Sequence, residues 1–293
     1  MENRNSTLNA AKENLNVAKE KVERISKSAQ GWIIPLARFG FAAKGVVYII
    51  IGILAALAAF TSGGKKTDSR GAFEEILSQP FGRVLLGAVA IGLAGYAVWR
   101  FVQAIQDTEN KGSEAKGIAV RIGYAVIGAI HIALAFSAAR MVFGSGDNKT
   151  SEQSSKEWTA TFLAQPLGQW LVGAAGVGFI AVAIFHFYQA YTTKFRESEK
   201  LMTDEMDDKT ETFATRVGQF GLAARGVVFG IIGGFLVQAA LQSNANKTRG
   251  LSGALRALEQ QSYGQLLLGV VALGLIAYGF HMFVLARYRR MII

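Results

Sequence analysis

Six apolar stretches, each long enough to cross a lipid bilayer, constrain this chain more than any other feature. They run approximately over Arg38–Phe60, Gly82–Ile105, Ala119–Phe143, Leu167–Ala190, Gly218–Leu241 and Gly264–Ala286. About 20 residues of helix cross the hydrocarbon core, and within lipid only helices or closed barrels satisfy every backbone polar group. None of the six carries the polar face that a helix of a soluble bundle needs. A chain of 293 residues with 51% apolar and 18% charged residues is therefore read as all-α and membrane-embedded. Its net charge of +10 then has a natural place, at anionic headgroups rather than on nucleic acid.

The distribution of lysine and arginine sets an expected orientation. Assigned to the nearer end of each span, 21 of the 31 cations fall on the side that holds both termini. The positive-inside rule places that side in the cytoplasm of a bacterial inner membrane. Residues 1–30 lack the apolar core of a signal peptide. Leu8, Ala11, Leu15, Val22 and Ile25 recur with heptad-like spacing there. That pattern fits an amphipathic helix on the membrane surface or against a partner, and equally a solvated helical tail.

Self-similarity is stronger than any short motif. Arg38-Phe-Gly-Phe-Ala-Ala-Lys-Gly45, Arg121-Ile-Gly-Tyr-Ala-Val-Ile-Gly128 and Gln219-Phe-Gly-Leu-Ala-Ala-Arg-Gly226 each open the first span of a pair. Gln79-Pro-Phe-Gly82, Gln165-Pro-Leu-Gly168 and Gln261-Ser-Tyr-Gly264 open the second. Five glycine positions recur in all three units: 40/123/221, 45/128/226, 82/168/264, 87/173/269 and 92/178/274. Because every unit has two spans, all insert the same way up, as parallel repeats about a quasi-threefold axis. The expected organisation is an N-terminal segment 1–36, repeats 37–108, 118–192 and 214–290, and an acidic linker 193–213 read as solvated.

Small residues let helices approach closely in lipid. Gly45, Gly92, Gly128, Gly178, Gly226, Gly230, Gly234 and Gly274 are accordingly expected at helix contacts, the run 226/230/234 being a GxxxGxxxG. Proline after Gln79 and Gln165 fits a first helical turn, where its missing N–H is no loss. Each unit also holds a short amphipathic segment before the Gln-Pro. Ala72, Phe73, Ile76 and Leu77 mark its face in the first unit, Trp158, Phe162 and Leu163 in the second, and Leu251, Leu255 and Leu258 in the third.

The repeated unit, from the Arg-x-Gly-x-Ala-Ala-cation-Gly opening to Gln-Pro-x-Gly-x-x-Leu-Leu-Gly, resembles the bacterial membrane family catalogued as domain of unknown function 1206. The resemblance covers roughly residues 37–289 and implies three tandem two-span copies; it carries no catalytic residue. The second unit departs from it, with Ile127 where Lys44 and Arg225 stand and His131 where Tyr48 and Phe229 stand. In the third, Ser262 replaces the proline.

An ionisable group within a span is a site hypothesis by default. His131, His186, His281, Tyr48 and Arg100 form the candidate intramembrane polar set, and Lys44 and Arg225 a candidate cationic rim. The rim is expected to snorkel to phosphates, with a cationic ring around an anion pathway as the sharper alternative. His186 and His281 align at nearly equal depth, which would suit a haem or metal, against a neutral histidine bonded across a helix contact. No metal, cofactor or catalytic residue is assigned. With no cysteine, no Asp or Glu inside a span and no catalytic motif, an enzyme and an ion-coupled transporter are both disfavoured. The expected function is a non-enzymatic scaffold or modulator of membrane lipids or a membrane-protein partner, with an anion-preferring channel as the alternative.

Overall fold

The computed structural model describes residues 2–60, 68–145 and 151–291, with side chains from residue 31 onward and, in the last stretch, from 152. The described residues form helices and turns, with no strand beyond an isolated bridge between Leu201 and Arg289. Six helices are long and apolar enough to cross a membrane. They are α1 (Glu2–Phe60, its apolar part from Gly31), α3 (Gly82–Gln106), α4 (Ala115–Val142), α6 (Gly168–Thr192), α8 (Asp208–Leu241) and α10 (Gly264–Tyr288). Short helices α2 (Ser69–Ser78), α5 (Ser151–Leu163) and α9 (Leu251–Glu259) precede α3, α6 and α10, and α7 (Phe195–Ser198) lies in the linker. The side chains of the heptad-like pattern at Leu8 to Ile25 lie outside the described residues, although the backbone there is helical.

Each Gln-Pro-x-Gly is a turn before the helix, so the proline does not occupy the first helical turn. Gly82 N–H donates to Gln79 O at 2.8 Å, and Phe81 between them is left-handed at φ 60°. Leu167 and Tyr263 repeat this conformation at φ 63° and 60°. A Cβ on Gly82 would stand 2.4 Å from the carbonyl oxygens of Ile76 and Leu77, which explains the fixed glycine.

Between repeats the long helices meet through one recurring joint. A glycine of each first helix faces a phenylalanine ring of the second helix of the preceding unit: Gly128 faces Phe101, Gly226 faces Phe187 and Gly45 faces Phe283, with a Cβ 3.0–3.1 Å from the ring in each case. These joints make α3–α4, α6–α8 and α10–α1 the most extensive helix pairs.

Within repeats the packing is unequal. In the first, a Cβ on Gly40 would lie 2.5 Å from Tyr96 N, and one on Gly92 would lie 2.5 Å from the Ala43 Cβ. The third repeats this, with 2.5 Å from Gly221 to Tyr278 Cα and 2.3 Å from Gly274 to the Ala224 Cβ. In the second unit the equivalent Gly123 and Gly178 have nothing within 4 Å, and α4 and α6 have at most a marginal contact. Gly178 is therefore not the packing position expected of it. Nor is Gly234, which also has nothing within 4 Å, and Gly230 makes only an ordinary 3.7 Å contact with Ala183. Gly233 takes that role: a Cβ there would lie 2.7 Å from Gly176 O.

The short helices show the same asymmetry. Phe73 and Ile76 of α2, and Leu255 and Leu258 of α9, are buried in one apolar cluster with Ile51, Ala55, Leu86, Leu268 and Leu275. Trp158 and Phe162 of α5 stay exposed, stacked on each other at 6.3 Å. That helix is tied to the segment before α9 by the ion pair of Glu152 with Arg249, at 2.7 Å, and to α9 itself by that with Arg256.

Candidate functional site

All six long helices direct a polar or aromatic side chain to one region near the end of the bundle that holds residues 106, 192 and 288. From α1, one turn of helix separates Lys44 and Tyr48, and from α3 one turn separates Tyr96 and Arg100. Arg225 and Phe229 come from α8 and Tyr278 from α10. His131 enters from α4 and His186 from α6. The repeat places these residues in matching layers: Lys44/Ile127/Arg225, Tyr48/His131/Phe229, Tyr96/Val182/Tyr278 and Arg100/His186/Met282.

The cations are anchored on tyrosines. The Tyr96 hydroxyl oxygen accepts from Lys44 Nζ at 3.1 Å and from Arg100 Nε and Nη2 at 2.8 and 2.6 Å. Tyr278 accepts from Arg225 Nη1 at 2.6 Å. Lys44 Nζ also lies 4.5 Å from the centroid of the Tyr96 ring, and the Arg225 guanidinium lies 4.4 Å from Tyr278 and 4.5 Å from Phe229. Cation–π contacts of this kind are worth about 0.5–2 kcal/mol each. They do not replace a counter-ion. Among the described residues no carboxylate lies within ion-pairing distance of Lys44, Arg100 or Arg225, and Arg225 Nε is buried without a hydrogen-bond partner.

Lys44 is only 6% exposed, so it does not snorkel to a rim; Arg225 likewise points inward to Tyr278. The rim read from sequence is the centre of the cluster. Tyr48 and Arg100 belong to it too: the Arg225 guanidinium lies 5.7 Å from the Tyr48 ring, and Tyr48 stacks edge-on to Tyr278 at 4.8 Å. His131 packs on the Tyr96 ring at 4.5 Å, and its Nδ1 donates to Ile127 O at 2.8 Å. His186 lies against Phe229 at 5.5 Å.

His281 stands apart from that pair. Fully buried, it meets Glu199 through Nε2 at 2.7 Å and the Phe195 ring at 5.3 Å. Although His186 and His281 stand one position apart in the repeat register, at nearly equal depth, they serve different partners. Among the described residues no three of His, Cys, Asp and Glu come together as a metal-binding group.

The linker is part of the packed structure rather than a solvated spacer. Phe195 is fully buried, Met202 N–H donates to Tyr288 O at 2.9 Å, and Arg290 N–H donates to Lys200 O at 2.9 Å. Beside it, Glu109 accepts from Gln103 at 2.8 Å and from Arg289 at 3.0 Å, with Lys200 3.6 Å away. Burial alone would raise both carboxyls. For Glu199, the partner His281, with Arg289 and Arg100 further off, outweighs burial and holds it below its ordinary value. For Glu109, Arg289, Gln103 and Lys200 do the same. Two ionised carboxylates therefore tie the linkers to α10 over the cation cluster.

Sequence reasoning missed Tyr96, Tyr278, Glu109, Glu199 and Arg289. The tyrosines left a signal, each standing four residues after a repeated glycine, Gly92 or Gly274. The carboxylates left none, because they lie in loops outside the repeats.

The family described as Domain of Unknown Function (DUF1206) matches the chain three times, over residues 39–107, 122–193 and 220–289. The chain belongs to this family. Its three matches coincide with the three units that supply the cluster, and the linkers carrying Glu109 and Glu199 fall between or beyond them. The chain is also similar to the "Uncharacterized protein YxxB" of Bacillus subtilis (strain 168), 38% identical over 270 residues that cover 92% of this chain and 96% of that protein. No solved structure matches significantly.

Proposed function

We propose that this chain is a six-span protein of the bacterial inner membrane, with both termini cytoplasmic, that binds an anion at the centre of its three repeats. In this reading the repeats insert in parallel about a quasi-threefold axis. Lys44, Arg100 and Arg225 hold the anion, oriented by Tyr48, Tyr96 and Tyr278. The observation that carries it is the convergence of three cations, none of them within ion-pairing distance of a carboxylate among the described residues; Glu199 acts on Arg100 and Arg225 only from further off. Removing an ion from water costs several kcal/mol after relaxation, so the cluster stands at a disadvantage that a bound anion relieves. The cations are each tied to an aromatic hydroxyl, an arrangement that holds charge rather than transfers a group, and this supports a binding protein over an enzyme.

A conduit for anions is less well supported. Beyond the cluster, Ile51, Ala55, Leu86, Leu268 and Leu275 pack as a dry apolar core, and on the other side Phe195 and the Glu199–His281 pair close the centre.

The test is thermal unfolding of the protein in an uncharged detergent, titrated with inorganic phosphate at constant ionic strength against chloride. A ligand that binds only the folded state at 100 times its Kd stabilises by about 2.7 kcal/mol. A saturable rise in Tm is expected with phosphate, reduced in Lys44→Gln and Arg225→Gln. Equal curves for phosphate and chloride would remove the reading.

A further inference from the structure

The second repeat is open where the other two are closed, and its opening faces the cluster. Six equivalent positions define the intra-repeat contact. In the first unit Gly40, Ala43, Val47, Val89, Gly92 and Tyr96 are all buried, as are Gly221, Ala224, Val228, Val271, Gly274 and Tyr278 in the third. In the second unit none of Gly123, Val126, Ile130, Ala175, Gly178 and Val182 is buried, and Ile130 is 49% exposed against 3% for Val47 and 2% for Val228. Four of the six differ from the closed units, Val126, Ile130, Ala175 and Val182, and Val126 is the one that adds bulk at the closest contact. It replaces an alanine whose Cβ already touches the facing glycine in the other units, and a β-branched side chain does not fit there. The result is a cleft between α4 and α6 whose six facing positions are all apolar. His131 and His186 mark its inner end, one against Tyr96 and the other against Phe229, the neighbour of Arg225.

We propose that this cleft admits the acyl chains of an anionic phospholipid of the adjoining leaflet, whose phosphate sits among Lys44, Arg100 and Arg225; this rests on the anion-binding reading above. Charge complementarity supplies one half of the argument. An apolar wall leading to unpaired cations suits an amphiphile with one anionic head, whereas a helix of another protein would bring its apolar face to the cations and leave them unmet. Depth supplies the other half. At 1.5 Å per residue, Arg100 lies about 9 Å inside the end of α3 at Gln106. A helix of 25 residues overruns a 30 Å hydrocarbon core by a few ångströms at each end. Arg100 therefore sits about 5 Å inside the headgroup boundary, at the shallow edge of the cluster where a lipid phosphate meets it first, whereas Tyr96 and Tyr278, ten residues from the ends of α3 and α10, lie about 11 Å inside. Phe195 and the Glu199–His281 pair lie on the linker side of the cluster, where acyl chains find no apolar path, so the opening between α4 and α6 is the way in for a lipid, though not the only one for a small ion.

The experiment is native mass spectrometry of the full chain in micelles, titrated with phosphatidylglycerol, with phosphatidylcholine as the zwitterionic comparison. Unchanged protein is expected to retain one phosphatidylglycerol and to prefer it at least tenfold. Gly178→Phe fills the cleft at a position with nothing within 4 Å, and is expected to cut that affinity about tenfold while inorganic phosphate still raises Tm. Gly87→Phe adds the same bulk at another helix position with nothing within 4 Å and should leave both unchanged. Arg225→Gln should weaken lipid and inorganic phosphate together.

Each other pattern overturns something definite. Full lipid affinity in Gly178→Phe would overturn access through the cleft while leaving the anion site intact. Inorganic phosphate that displaces the lipid at similar concentration would identify a free anion as the ligand. Lipid retention indifferent to Arg225→Gln, or to headgroup charge, would overturn the lipid site whatever the phosphate titration gave. The chain has no cysteine, so Ile130→Cys gives a single thiol in the cleft; efficient disulfide dimers from it would identify a second copy as the occupant instead.

Discussion

In the first and third repeats the two long helices touch through glycine, backbone against backbone, and their short helices are sealed into the core. In the second repeat the helices stand apart and α5 leaves Trp158 and Phe162 exposed. All three units nevertheless share the same joint to their neighbours, phenylalanine on glycine. One repeated glycine framework thus supports two packings when the residues around it change size, as Val126, Ile130, Ala175 and Val182 do in the second unit. The joints between units hold the ring together, so one internal contact is free to be lost. The lost contact removes a cation and a tyrosine as well, since Ile127 and Val182 stand where the other units carry Lys44 or Arg225 and Tyr96 or Tyr278. Charge is concentrated in the closed units, and the open unit offers them an apolar wall with two histidines.

The largest test of this contrast is at the ion pairs. Glu109→Ala leaves Arg289 buried without its partner and is expected to cost about 3–5 kcal/mol. Glu152→Ala, which loses half-exposed pairs beside the open unit, should cost no more than about 1 kcal/mol. Denaturant or thermal unfolding in detergent measures both, and equal costs would break the distinction between sealed and open ends.

Next come the glycines. Gly92→Ala and Gly274→Ala put a methyl into space held by Ala43 and Ala224, and overpacking of this kind costs about 1–3 kcal/mol. Gly178→Ala meets nothing and gains helix propensity, so it should be neutral or stabilising by up to about 1 kcal/mol. A loss at Gly178 as large as that at Gly92 would show the second unit to be closed.

Smaller still is the pH effect. Glu109 and Glu199 are held below their ordinary values in the folded protein, so their contribution is fully present above about pH 5 and is lost as pH falls through their folded values. Tm should be flat between pH 6 and 8 and fall below about pH 4. In Glu109→Gln it should start lower and fall less. A steeper fall in that variant than in the unchanged protein would contradict the assignment.

The smallest change in stability, within about 0.5 kcal/mol, is expected for Val126→Ala with Val182→Tyr, which restores the residues of the closed units. Its readout is distance. Cysteines at Gly123 and Phe179, on the facing helices, should crosslink faster in this background than with Val126 in place. An unchanged rate would mean that Val126 is not what holds the helices apart.

Much of the architecture was legible from the chain. The number of membrane-length helices and the three units follow from hydropathy and glycine register, because long apolar runs and close contacts leave a periodic record. Gly45, Gly92, Gly128, Gly226 and Gly274 were recognisable as contact points for the same reason. Gly178 misled, since its identity is retained although its partner surface is gone; the changed residues around it, Val126 and Val182 above all, record that loss. Lys44 and Arg225 misled in another way. A cation about six residues inside a span reads as snorkelling, and whether it turns out to headgroups or in to a tyrosine depends on the facing helix.

An all-helical chain of three related units with six membrane-length helices is written in the residues alone, because hydrophobic length and repeat register are properties of each segment. The tertiary structure alone decided that Tyr96 and Tyr278 meet the cations, that Glu109 and Glu199 fold over them from the loops, and that one of three matching helix pairs stays open. Those outcomes depend on which side chain another helix or loop brings opposite, at distances of a few ångströms and across up to 180 residues of chain. No local pattern carries that information.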